Sequence, residues 1–323
     1  GEADLVLAIG SRLQDFTTGS HSLFGQARLL GLNVNAFDAI KLGGVALLAD
    51  AGSGIRALDA LLPKWKADSA WTAKASKLAT QWRAQVDAIT GRRDAPLPYE
   101  GEVIGAVQRS SAQSATNDIV VCAAGGLPGE LHKLWRTSVP GGYHLEYGYS
   151  CMGYEIAGGL GVKMARPERE VVVIVGDGSY LMMNSEIATS VMLGLKLVIV
   201  LLDNHGYGCI HRLQQACGGA PFNNLFDDGT HTAEAAPRID FVAHAASLGA
   251  IAERVDDIGG LEVALKRARA SKRTSVICIE TDPNRCTTEG GWWWEVAVPE
   301  VSQRRQVADA RRLYEQGKQQ QKA

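Results

Sequence analysis

The chain has 323 residues, 46% of them hydrophobic and 21% charged, with a formal net charge of −2. That composition supports a large apolar core and carries no basic excess, which argues against nucleic-acid binding. No run approaches the roughly 18 uninterrupted apolar residues of a membrane span, and no basic start precedes an apolar N-terminal stretch; no membrane partner and a cytoplasmic location are expected.

In chain order, residues 5–9 read as a buried strand closed by a turn at Gly10. Strands at 30–35 and 45–49 and a helix at 53–62 follow. Three strands make half of a doubly wound sheet, so residues 1–66 read as half of an α/β domain. Residues 67–90 carry Trp71, Ala75, Leu78 and Trp82 at three- and four-residue steps, which predicts an amphipathic helix. With Pro96 and Pro98 behind it, segment 67–98 reads as a helical linker. The large domain is expected over 99–296, with strands at 119–122, 171–175, 197–202, 250–255 and 275–280. Helices at 185–195, 240–248 and 260–270 connect the later ones. The polar segment 297–323 reads as a helical tail. The fold class is α/β, a parallel sheet with helices on both faces.

Chemistry concentrates at the ends of two of these strands. Five β-branched residues, Val171 to Val175, leave no polar face, so this strand must be covered on both sides. Gly176 and Gly178 allow a sharp exit and place Asp177 at the carboxyl end, the edge where open α/β sheets bind ligands. Asn204 follows the strand 197–202, with 25 residues between it and Gly178. Right-handed crossover brings both strand ends to one edge. One carboxylate, one amide oxygen and a backbone carbonyl near Gly206 would supply half of an octahedral oxygen shell, which magnesium completes with water and phosphate. Read separately, Gly-Asp-Gly and Asp-Asn-His-Gly are each an ordinary turn.

The spacing from Gly176, Asp177 and Gly178 to Asn204 resembles the thiamine-diphosphate motif of the acetolactate synthase and pyruvate decarboxylase superfamily. The resemblance implies thiamine diphosphate and Mg2+ as cofactors, with Asp177, Asn204 and the Gly206 carbonyl as metal ligands. Residues 150–157 resemble the family segment in which a bulky residue, here Met152, wedges under the cofactor. The loop 123–129, with Gly125, Gly126 and Leu127, resembles its first cofactor loop. Ser150, Ser179, Tyr207 and Cys209 border the cofactor by the same resemblance. Stretches 7–19, 178–186, 202–210 and 291–301 are similar to the trihydroxycyclohexane-1,2-dione hydrolases of inositol breakdown. This implies hydrolytic carbon-carbon ring cleavage of a small cyclic dione to 5-deoxy-glucuronate, by a homodimer or higher homo-oligomer. A carboligase or decarboxylase, or a cofactor-binding segment without turnover, remains open beside it. The family's activating glutamate belongs to a domain outside this sequence. The chain is therefore expected to be a C-terminal fragment, inactive alone.

His211 is the candidate for proton transfer, ahead of His205, His132 and His144, for which surface or satisfied polar roles are the plainer reading. Trp292 to Trp294 either stack on a sugar-like ring or anchor an interface. Arg12 resembles a nucleotide contact of flavin-containing relatives; FAD is a possible cofactor without support here, and a surface ion pair is the simpler account. The six cysteines form no Cys-x-x-Cys pair and read as free thiols. A dehydrogenase is disfavoured because no glycine fingerprint with an acidic ribose ligand is present.

Overall fold

The computed structural model describes residues 1–93, 95–112, 118–137, 139–228 and 238–321. Its strands are β1 (Leu5–Ile9), β2 (Arg28–Asn33), β3 (Val45–Leu48), β4 (Ile119–Cys122), β5 (Tyr143–Leu145), β6 (Val171–Gly176), β7 (Val198–Asp203), β8 (Ile251–Val255) and β9 (Ser275–Glu280). The helices are α1 (Asp15–Thr18), α2 (Ala36–Ile40), α3 (Ala51–Leu61), α4 (Ser69–Thr90), α5 (Glu100–Ala112), α6 (Leu127–Leu134), α7 (Tyr154–Ala165), α8 (Asp177–Met182), α9 (Glu186–Met192), α10 (Gly208–Ala216), α11 (Phe241–Ser247), α12 (Ile258–Ala270) and α13 (Arg305–Lys318). None of the described helices is long and apolar enough to cross a membrane.

Two compact units emerge. One comprises Gly1–Ala79, Ala216–Gly219 and Gly291–Ala323; the other comprises Thr80–Gln215 and Ala220–Gly290. This division differs from the four expected segments in two places. Segment 67–98 is no separate linker, because α4 is a single helix whose last turns bury Val86 and Ile89 in the second unit's core. The tail folds with the first unit, where the Trp293 ring lies against Gly317 of α13.

The first unit holds a three-stranded parallel sheet, β1-β2-β3. Asn35 caps α2 and Asp50 caps α3, each accepting backbone N–H groups of the first turn. On β1, Leu5, Leu7 and Ile9 alternate onto one face and are all exposed.

The second unit is a six-stranded parallel sheet in the order β5-β4-β6-β7-β9-β8. Alternation on the central strands explains its two cores. Val172 and Ile174 of β6, with Val198, Val200 and Leu202 of β7, face a cluster built by α5, α6 and α12. Val171, Val173 and Val175, with Ile199 and Leu201, face a second cluster built by α7, α9 and α11. Burying each such side chain contributes roughly 1.5–3 kcal/mol, so an apolar run with no polar face is what a strand covered on both sides requires. The chain runs from β4 to β5 on one side and then returns to place β6 on the other side of β4. That reversal is a topological switch point, which opens a crevice between the carboxyl ends of β4 and β6.

Candidate functional site

The loops at this crevice contain most of the polar residues singled out in the sequence. Gly176 of β6 pairs in register with Leu202 of β7, so Asp177 and Asn204 leave neighbouring strands at one edge. Asp177 is buried. Its Oδ1 accepts the Gly178 N–H at 2.7 Å and its Oδ2 accepts the Gly206 N–H at 2.8 Å. Burial pushes this carboxyl up to about 7; the two N–H donors and His205 pull it down, and Asp203 pushes it further up. A nearby cation would reverse that balance and hold the group ionised.

Asn204 contributes the second oxygen. Its Oδ1 is buried and has no hydrogen-bond partner. An amide oxygen left in that state costs free energy unless a ligand meets it. The backbone at Gly206 adopts φ +141°, and a Cβ there would lie 2.4 Å from the Asn224 oxygen, so only glycine fits. This conformation turns the Gly206 carbonyl toward Gly178, 3.6 Å from where a Cβ on Gly178 would stand. Asp177, Asn204 and Gly206 thus lie on neighbouring loops at the carboxyl ends of β6 and β7.

The other loops close around the same edge. Gly126 caps α6, and Gly125 has φ +85°. Ser150, at φ +53°, directs its hydroxyl toward the Ala123 carbonyl at 3.5 Å. Glu146 accepts the N–H groups of Tyr149 at 3.0 Å and Cys151 at 2.7 Å, fixing the turn before the half-exposed Met152. Behind Gly126 lies Glu100, a buried carboxyl raised to about 7 by burial and only partly offset by Arg212, whose Nη2 is 3.5 Å away.

Residues 123–279 match the family model described as the thiamine pyrophosphate enzyme, C-terminal TPP binding domain. This part of the chain belongs to that family. The match to the thiamine pyrophosphate-binding domain runs from the loop after β4 to Ile279 in β9 and includes every loop of the crevice. The whole chain is similar to a 3D-(3,5/4)-trihydroxycyclohexane-1,2-dione hydrolase of Halalkalibacterium halodurans, at 36% identity over 97% of the chain and 52% of that relative. It is 34% identical to the protein of that name from Bacillus subtilis, over 96% of the chain and 52% of the relative. The chain spans about half the length of the curated relatives it matches.

The residues present fit the magnesium that such a domain implies. Among the described residues no group of three or more His, Cys, Asp or Glu side chains forms a metal cage. Magnesium bound through phosphates needs no such cage: it takes one or two carboxylates and leaves other positions to water and phosphate oxygens. The Asp177 carboxylate and the unpartnered Asn204 oxygen meet that demand. Tyr207 lies with its ring over Gly178, where a Cβ would come within 2.7 Å of it, so the thiamine pyrophosphate-binding domain keeps this approach narrow. Cys209, in the first turn of α10, is a partly buried thiol whose pKa is raised by burial. Leu127 is buried in the core beneath the first loop.

The histidines separate clearly. His211 is buried, with Nδ1 3.2 Å from Asp228 Oδ2 and Nε2 2.7 Å from Gln215 Nε2. Gln215 donates to Nε2, leaving the proton on Nδ1 for Asp228. Both ring nitrogens thus have partners inside the protein. His205 pairs with Glu280 at 2.9 Å; burial lowers its pKa, but Glu280 and the carboxylate of Asp203 outweigh that and raise it. His144 Nε2 meets the Tyr154 hydroxyl at 2.7 Å, and His132 packs edge-on against Tyr143 and Tyr147. In the first unit, Trp294 packs on Phe16 with ring centroids 4.8 Å apart, and Trp292 donates to Ser22 Oγ at 3.0 Å. Arg12 donates to Gln14 at 2.7 Å rather than to a carboxylate.

One residue of the crevice was not singled out from the sequence. Glu155 is buried at the start of α7 and accepts from Ala124 and Ser179. The signal was present: a single acid inside Tyr154-Glu155-Ile156-Ala157-Gly158-Gly159-Leu160, where nothing else is charged.

Proposed function

We propose that this chain supplies the magnesium-diphosphate half of a thiamine-diphosphate site. We further propose that the whole protein cleaves a carbon-carbon bond of trihydroxycyclohexane-1,2-dione hydrolytically, opening the ring to 5-deoxy-glucuronate. The observation that carries the reading is a buried carboxylate and an unpartnered buried amide oxygen leaving the paired strands β6 and β7 at one sheet edge. Asp177, Asn204 and the Gly206 carbonyl would hold the metal and through it the diphosphate. Gly125, Gly126, Ser150, Met152, Ser179 and Tyr207 would shape the rest of the cofactor's seat. When bound, thiamine diphosphate supplies the electron sink that carbon-carbon cleavage next to a carbonyl needs. The chain's own residues bind and orient: backbone N–H groups keep the Asp177 oxygens aimed, and Tyr207 narrows access over Gly178.

The similarity to the hydrolases over almost the whole chain supports the ring dione as substrate. Full-length protein given the ring dione with Mg2+ and thiamine diphosphate should release one linear acid per ring, detectable by mass spectrometry. Formation of acetolactate-type condensation products from pyruvate, with the dione untouched, would refute the hydrolase reading in favour of a carboligase.

A further inference from the structure

Three segments form the crevice: the loop after β4, the turn before α7 and the start of α8 after β6. A single side chain joins all three. Glu155 is 1% exposed. Its Oε1 accepts the Ala124 N–H at 3.1 Å, one residue before Gly125. Its Oε2 accepts the Ser179 hydroxyl at 2.7 Å, two residues after Asp177. The same Ser179 oxygen accepts the Gly153 N–H at 2.7 Å, next to Met152.

We propose that Glu155 is a positioning residue, which sets the three cofactor loops against one another so that the ring end and the diphosphate end of thiamine diphosphate are seated together. This rests on the reading of the site given above. Two observations argue for it over simple packing. The hydrogen-bond partners are all neutral, a hydroxyl and backbone N–H groups, with no arginine or lysine to compensate the charge. Burial accordingly pushes the carboxyl up, while the bonds from Ser179, Ala124 and Gly153 pull it back. An apolar side chain would fill the same space without the desolvation cost. The second observation is placement. Two of the tethered loops flank the switch point itself, and the third carries Met152. A carboxylate has the acceptors to hold two donors from different loops at fixed separation, which no apolar residue can do.

The test compares two ligands on the full-length protein by isothermal titration, at a temperature well below unfolding. Magnesium with pyrophosphate reports the metal end alone; magnesium with thiamine diphosphate reports both ends together. Glu155→Ala should weaken thiamine diphosphate by about tenfold or more while pyrophosphate changes by less than about threefold. Ser179→Ala, which cuts the link to Gly153, should show the same split, and Glu155→Gln, which still reaches both partners, should fall between Glu155→Ala and wild type. Should Glu155→Ala fail to fold, the other two variants decide. Unchanged thiamine diphosphate affinity, or an equal loss for both ligands, would overturn the inference. Asp177→Ala separates the two levels: it should abolish both ligands if the cofactor reading is sound. A full-length wild-type protein that binds neither ligand sinks that reading, and Glu155's role with it.

Discussion

Asp177 is expected to be held at a cost to stability, and replacing it should reveal how much. Its carboxyl is raised from an ordinary 3.8 to about 7 in the cation-free chain, chiefly by burial. At about 1.4 kcal/mol for each pH unit, ionising it inside the fold costs about 4 kcal/mol once the solution is above pH 7. The sign follows from proton binding. Between pH 4 and 7 the folded chain keeps a proton that the unfolded chain has lost, so stability falls as pH rises through that window and levels off above it. Asp177→Asn removes the charge and keeps one acceptor. That acceptor can serve only one of the Gly178 and Gly206 N–H groups, and the donor left over costs about 1–3 kcal/mol. The net expectation is a gain of about 1–3 kcal/mol at pH 8, together with loss of magnesium-dependent thiamine diphosphate binding. Urea unfolding followed by circular dichroism, with chelator present, measures the first quantity. Glu100 is also raised to about 7 and tilts both proteins in the same direction, so the readout is the difference between their pH slopes. An Asp177→Asn chain less stable than wild type at pH 8, or with the wild-type slope between pH 4 and 7, would refute the reasoning.

Other perturbations separate binding from folding. Asn204→Ala deletes an oxygen that has no partner, so unfolding free energy should move by less than about 1 kcal/mol while calorimetry shows magnesium-dependent affinity falling about tenfold. Gly206→Ala places a methyl 2.4 Å from the Asn224 oxygen at φ +141°, which should cost roughly 2–4 kcal/mol and lower the melting temperature by several degrees. His211→Ala leaves Asp228 and Gln215 without the imidazole; a loss of about 1–3 kcal/mol in denaturant unfolding is expected, with thiamine diphosphate affinity unchanged.

The central strands, and the exit of Asp177 and Asn204 at one sheet edge, were legible because they rest on local signals: an uninterrupted β-branched run, a glycine turn and an acid at its end. What was not legible depends on partners distant in sequence. β5 is a three-residue edge strand, Tyr143–Leu145, with no apolar run to announce it, yet its place beside β4 creates the switch point. His211 looked free because Asp228, which engages it, lies 17 positions away in an irregular segment. The tryptophans meet Ser22 and Phe16, 270 or more positions earlier. Glu155 was hidden for another reason. It sits in an apolar, glycine-rich segment, and its partners, Ala124 and Ser179, become visible only once the sheet order brings β4 and β6 together.

The order of strands also bears on how the molecule assembles. Val172 pairs with Val198 across 26 positions, whereas Val198 pairs with Ser275 across 77. Closing the shorter loop costs about 1 kcal/mol less in chain entropy, and nonlocal parallel pairing is slow. Asp177 and Asn204 ride on the shorter closure, so the corner that carries them can form as a strand-helix-strand nucleus while β8 and β9 are still unattached.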